Sequence, residues 1–123
     1  MITLYVDGGT RGSVICLTDL NTHKTIVKKR KGAPTNNDLE YLAVIYGIVY
    51  AKKHYPRDRV LIKSDSMLVV KQVNGRWAVK SASLAILCHK TTRLLKGTRI
   101  KLKWVPREVN LAGIHLEEMK DML

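Results

Sequence analysis

The chain has 123 residues, 46% of them hydrophobic, which suits one domain with its own core and leaves no need for disulfide or metal staples. No apolar run approaches the ~18 residues of a membrane span, so a membrane partner is excluded at this level. Twenty-two Lys and Arg against ten Asp and Glu give a net charge of +12, a balance that attracts polyanions, nucleic-acid backbones first among them.

Residues 2–7 predict a short apolar strand ending in Asp7, followed by a turn through Gly8, Gly9, Thr10, Arg11 and Gly12. A second strand is expected over 13–19, a turn at Asn21, Thr22 and His23, and a third strand over 24–31; together these form an antiparallel meander. Pro34 and Thr35 break the pattern. Asn36 or Asn37 then caps a helix that shows Leu39, Leu42, Ala43, Tyr46 and Val49 at helical spacing and stops near His54, before Pro56. A fourth strand over 59–64 leads to Asp65. A short helix over 66–73 ends at Asn74 and Gly75, and a longer one over 81–96 runs from Ser81 or Ser83 to Gly97. A fifth strand over 99–105 alternates Ile100, Leu102 and Trp104 with Arg99, Lys101 and Lys103, and Asn110 caps a last helix over 111–121. Cys16 and Cys88 lie far apart in apolar runs, which reads as two buried thiols in a reducing compartment. With no signal-peptide pattern at the N-terminus, that reading implies a cytoplasmic protein.

The element order is βββ-α-β-α-α-β-α. Strands that follow helices return parallel through right-handed crossovers, so strands four and five should run parallel to strand one. The functional crevice of such a sheet lies at the carboxyl ends of its parallel strands. Most of the ten acids fall where solvated carboxylates are routine: Asp19, Asp38, Asp58 and Glu108 in turns or at element ends, Glu118 and Asp121 in the last helix. Asp7 and Asp65 differ, because each closes an apolar strand of the sheet centre and is followed by small residues. Glu40, in the first turn of the first long helix, can lean towards the same edge. Three converging carboxylates raise one another's pKa, and a bound divalent cation is the simplest compensation. Few carboxylates plus water suit magnesium or manganese, and two such ions ~3.5–4 Å apart can promote phosphodiester hydrolysis.

Four segments occur in the order found in type I ribonuclease H. They are Tyr5-Val6-Asp7-Gly8-Gly9-Thr10-Arg11-Gly12, Thr35-Asn36-Asn37-Asp38-Leu39-Glu40, Ser64-Asp65-Ser66, and Trp104-Val105-Pro106-Arg107-Glu108-Val109-Asn110. The chain resembles that family over nearly its whole length, in the compact form without a basic protrusion. The resemblance implies an α/β, ribonuclease H-like fold: a five-stranded mixed sheet, three strands antiparallel and then two parallel, flanked by helices in a single domain over 1–123. It implies endonucleolytic hydrolysis of the RNA strand of an RNA–DNA hybrid with two Mg2+ ions, for which Mn2+ can substitute, bound by Asp7, Glu40 and Asp65. It also implies substrate contacts at Thr35, in a pocket for a DNA-strand phosphate, and at Trp77. Gly8 and Gly9 allow close backbone approach, and Asn36 and Asn37 offer donors and acceptors to the minor groove, where the 2′-OH marks RNA. The loop anchor remains an alternative for Trp77, as helix capping does for the asparagines.

The family pattern sets a fourth acid about four residues after the Asn of the last helix, and Ile114 stands there. Glu117, three residues on and on the same helical face, is the candidate to reach the crevice across Gly113, with His115 the alternative. Two other functions stay compatible with these residues: a non-catalytic hybrid- or duplex-binding module, and a DNA or junction nuclease of the same fold. The protein is expected to act as a monomer.

Overall fold

A computed structural model describes residues 1–9, 13–32 and 35–120, the side chain of Lys120 excepted. In chain order the elements are β1 (Ile2–Gly9), β2 (Val14–Asp19), β3 (Lys24–Lys29), α1 (Asn36–His54), β4 (Val60–Ser64), α2 (Met67–Val73), α3 (Ala82–Leu95), β5 (Ile100–Trp104), a turn of 3-10 helix (Arg107–Val109) and α4 (Leu111–Lys120). The sheet order is β3-β2-β1-β4-β5. β1, β2 and β3 pair antiparallel, while β4 runs parallel to β1 and β5 parallel to β4. This is the mixed sheet expected from the order of elements. Thr10, Arg11 and Gly12 of the expected first turn, Pro34, and Asp121 of the last helix lie outside the described residues.

Two boundaries differ in ways that matter for the site. β1 does not stop at Asp7: Gly8 and Gly9 continue it, paired with Ile15 and Val14 of β2. The parallel pairing of β1 with β4 ends at Val6 and Ser64. Asp7 therefore sits one residue beyond the last β4 pair, on a strand still held from its other side. At α1, the cap is Thr35 rather than Asn36 or Asn37. Its Oγ1 accepts from the Asp38 N–H at 3.1 Å, and Asp38 Oδ2 accepts from the Thr35 N–H at 3.1 Å. A capping residue and an acid three positions on satisfy each other's backbone donors here. Asp38 is consequently buried in that cap rather than solvated, and Glu40 begins the second turn of the helix rather than lying in the first.

The buried face of α1 is broader than its apolar spacing suggested. Val49 is 48% exposed, whereas Tyr41, Val44, Ile48 and Ala51 are fully enclosed. The helix lies between the sheet and α3, so most of its circumference meets other elements. Gly47 brings it close: a Cβ there would stand 2.9 Å from Val6 Cγ1. On the other face of the sheet, Ala112 and Leu116 of α4 pack on Tyr5, Val14 and Cys16. In β5, Ile100 and Leu102 are buried as the alternation implied, but Trp104 at the strand end is 36% exposed. No helix among the described residues is long and apolar enough to cross a membrane.

Asp19 overturns its reading as a solvated turn acid, for it is fully buried. Its Oδ2 accepts from the hydroxyls of Tyr50 at 2.7 Å and Tyr55 at 2.6 Å, and its Oδ1 from the N–H groups of Asn21 and Thr22. Burial pushes this carboxyl up, but the hydrogen bonds from Tyr55, Tyr50, Asn21 and Thr22 outweigh it and hold the pKa below the ordinary 3.8. The tyrosines stand 31 and 36 residues away, so nothing near Asp19 in the sequence announces them.

A lowered folded-state pKa means that the Asp19 contribution is present above the unfolded-state value and is lost as pH falls through the folded one. Asp19→Asn should therefore cost about 2 kcal/mol at neutral pH, the scale of hydrogen bonds to a charged acceptor. The gap to the native protein should narrow in acid. Urea unfolding at neutral pH and below pH 3.8 checks both parts; equal curves at neutral pH would contradict them.

Candidate active site

Adjacent parallel strands bring Asp7 and Asp65 together. β1 and β4 finish their pairing at Val6 and Ser64, and each acid is the next residue. Ser64 Oγ accepts from the Ser66 N–H at 3.1 Å and Ser66 Oγ caps α2 through the Val69 N–H, so the chain turns away directly after Asp65. Glu40 arrives from α1, above the same strand ends. Its approach depends on Gly8: a Cβ at that residue would lie 2.5 Å from the Leu39 carbonyl carbon and 2.9 Å from the Glu40 nitrogen. With no side chain there, the Gly8 N–H donates to Glu40 Oε1 at 2.6 Å. The close approach that Gly8 permits is thus used by the helix backbone.

Asp7, Glu40 and Asp65 each offer an oxygen, and the three lie within 4.8 Å of one another. They open into a crevice of about 410 Å³ whose rim includes Gly9, Asn36, Ser66, Arg107 and Glu117. Burial and then repulsion from Asp65 raise Asp7 to about 6, against which a hydrogen bond from Glu40 and the Arg107 guanidinium pull down. Burial, then Asp7, then Asp65 raise Glu40 to about 9, so it keeps a proton at neutral pH and shares it with Asp7. Beneath Asp7 on β2, burial and the Asp7 charge push the Cys16 thiol up to about 12, leaving it inert as expected of a buried cysteine.

Asn110, read from the sequence as a cap for the last helix, also braces the site. Its Oδ1 accepts from the Ala112 and Gly113 N–H groups, which is the cap. Its Nδ2 donates to the Val6 carbonyl at 3.0 Å and to Asp65 Oδ2 at 3.1 Å. One fully buried amide thus ties the end of β1, the Asp65 carboxylate and the start of α4. Trp104 adds a second tether, its Nε1 donating to the Asp65 carbonyl at 3.1 Å. Sequence reasoning gave no site role to Arg107 or to this side of Asn110; both lie in the last quoted motif, but spacing alone does not say where the amide points.

The remaining candidates fall as follows. Glu117 stands at the rim with its side chain 57% exposed, 3.6 Å from Arg107 Nη2, and is not one of the three carboxylates within 4.8 Å. α4 comes nearest the acids at Gly113, where a Cβ would lie 3.3 Å from both Asp65 Oδ2 and Asp7 Oδ2. Ile114 is 37% exposed, and His115 is half-buried and off the crevice lining. Gly9 has only ordinary contacts, Asn36 is exposed at the rim, Asn37 is half-buried, and the Thr35 hydroxyl is engaged with Asp38. Trp77, 47% exposed between α2 and α3 beside exposed Arg76 and Lys80, is a surface residue and does not line the crevice.

An all-oxygen donor set, with two members pushed towards proton uptake by their neighbours, fits a hard divalent cation. A raised folded-state pKa has a definite consequence. In chelator, the protein should lose stability as pH rises from the ordinary Glu value of 4.5 towards about 9, because ionising Glu40 is harder folded than unfolded. Glu40→Gln should flatten that decline, and added magnesium should restore the native protein more than the variant. Thermal unfolding across this range checks the pair, and parallel profiles would contradict it.

Residues 6–117 match the family described as Reverse transcriptase-like. The bifunctional protein Rv2228c of Mycobacterium tuberculosis is 34% identical over 118 residues, covering 89% of this chain and 32% of that protein, so the chain spans about a third of its length. The solved N-terminal RNase H domain of Rv2228c is 30% identical with a TM-score of 0.74, covering 94% of each chain. The structure of LC11-RNase H1, isolated from compost, is 26% identical with a TM-score of 0.79, covering 98% of this chain and 96% of that one.

Proposed function

This chain belongs to the ribonuclease H-like family, and we propose that it is an endonuclease that hydrolyses the RNA strand of RNA–DNA hybrids with two Mg2+ ions, for which Mn2+ can substitute. The observation that carries this reading is the convergence of Asp7, Glu40 and Asp65 within 4.8 Å at the carboxyl ends of parallel strands. When bound, the ions supply charge neutralisation at the scissile phosphate and an activated water for in-line attack.

The chain's own groups prepare the site. Asp7, Glu40 and Asp65 are the proposed ligands. Asn110 orients one Asp65 oxygen, and the Gly8 N–H orients one Glu40 oxygen. Glu117, beside Arg107 at the rim, is the proposed fourth acid in place of one at Ile114. Gly8, Gly9, Asn36 and Asn37 are the proposed contacts to the RNA strand, where a 2′-OH can be distinguished from a hydrogen. Thr35 and Trp77 are the proposed contacts to the DNA strand. A cytoplasmic monomer of one domain over 1–123 completes the proposal. The apolar Ile114 at the fourth position favours one other reading, a hybrid-binding module that does not cut.

Incubating a strand-labelled hybrid with magnesium, manganese or chelator, beside double-stranded RNA, double-stranded DNA and single-stranded RNA, separates the two. Metal-dependent cutting of the hybrid's RNA strand alone is expected, and Asp65→Asn should lower it at least about 100-fold with hybrid binding kept. Salt-sensitive binding without cutting under any metal would establish the binding module, and turnover kept in Asp65→Asn would remove that residue from the site.

A further inference from the structure

Among the described residues, two of the five strands, β4 and β5, carry helices on one face only. α4 packs on β1 and β2, and the same face of β4 and β5 stays open, with Lys101 and Lys103 exposed and Leu61 and Lys63 half-buried. Val60, Ile62, Ile100 and Leu102 point into the main core. Strand alternation therefore puts Arg59, Leu61 and Lys63, and Arg99, Lys101 and Lys103, on the open side. The register sets Leu61 beside Lys101 and Lys63 beside Lys103. Below them the Val60 N–H donates to the Arg99 carbonyl at 3.2 Å, which brings Arg59 and Arg99 level.

Five cations thus stand in two adjacent columns. Like charges directly opposite on neighbouring strands destabilise a sheet. Among the described residues none of the five has a carboxylate within 4.0 Å. The Lys63 ammonium lies over the Tyr5 ring, 5.4 Å from its centre, which holds it on this face. An anion from outside the fold would relieve such a face.

Its dimensions select among anions. Four residue rises make the columns about 13 Å long, and one strand spacing makes them about 4.8 Å wide. A stacked strand advances about 3.4 Å per nucleotide along its axis, so the columns match the length of a few nucleotides. The width takes one backbone, whereas the two backbones of a duplex are at least ~6 Å apart across the minor groove. Lys63 and Lys103, at the upper ends, immediately precede Ser64-Asp65 and Trp104, so the columns begin beside the carboxylates and lead away from them.

We propose that the open β4–β5 face, through Arg59, Lys63, Arg99, Lys101 and Lys103, binds the phosphate backbone of a single nucleic-acid strand, the unpaired flank of a substrate duplex. Strand binding stands on charge and dimensions alone; its being the substrate's flank rests on the hydrolytic reading.

Fluorescence anisotropy in chelator tests it, with labelled oligothymidylate, a blunt hybrid, and the same hybrid bearing a single-stranded overhang. The native protein should bind oligothymidylate, and Lys101→Glu with Lys103→Glu should weaken that binding by about tenfold or more, with a salt slope shallower by about 1.4. The paired Lys→Gln changes, gentler to the fold, should act in the same direction. The overhang should tighten hybrid binding of the native protein, and both variants should lose that gain while holding the blunt hybrid as before. Oligothymidylate affinity unchanged in both variants, or an overhang gain that survives in them, overturns the proposal. Cleavage of the blunt hybrid with magnesium is read separately: its absence sinks the hydrolytic reading and leaves the oligothymidylate comparison standing.

Discussion

Holding Asp7, Glu40 and Asp65 together, against burial and against the repulsion between Asp7 and Asp65, is the constraint around which the rest of the molecule is arranged. Three carboxyl groups within 4.8 Å, two of them largely buried, would spread apart in a softer frame. Each is prevented by a different device. β2 holds Asp7 from one side after β4 has stopped pairing with β1. The absent side chain of Gly8 lets α1 descend until Glu40 meets a backbone donor. The Asn110 amide and the Trp104 indole fix Asp65 through its carboxylate and its carbonyl. The frame is thus built to hold an electrostatically unfavourable group in place, as expected where a cation is to be bound rather than where packing alone is served.

α1 is fastened at both ends. Near its start Glu40 takes the Gly8 N–H, and near its end Tyr50, with Tyr55 just beyond, donates to Asp19 at the end of β2. Between these points Gly47 lets the helix rest on Val6. Buried polar groups of this kind are costly unless satisfied, and among the described residues no buried side-chain nitrogen or oxygen lacks a partner. The polar contacts therefore set the register of helix on strand, while the apolar core supplies the bulk of the burial.

How far the sequence went follows from the range of each interaction. Strand periodicity, the Gly97 stop and the Ser81 cap are local, and the element order came directly from them. The meeting of Asp7 with Asp65 followed from one topological rule about parallel strands, and Glu40 from helix position. What escaped was non-local. The Asp19 partners lie 31 and 36 residues away, and the second bond of Asn110 spans 45 residues. The wide buried face of α1 reflects helices packed behind it, which no single-helix pattern encodes. Thr35 caps the helix in place of the asparagines because Asp38, an acid at a position where solvated carboxylates are routine, turns back to its N–H. At Trp77 the sequence left surface and interior open, and 47% exposure places it on the surface.

Charge is sorted rather than spread: the acids that matter lie at one end of the parallel strands, and lysines and arginines line the open side of those strands. The proposed chemistry depends on a cation being drawn to the acids in spite of a chain charge of +12. Crystals grown with manganese at neutral pH and measured at its absorption edge test this most directly. Anomalous density bounded by oxygens of Asp7, Glu40 and Asp65 is the expected result. A map without density there would contradict it.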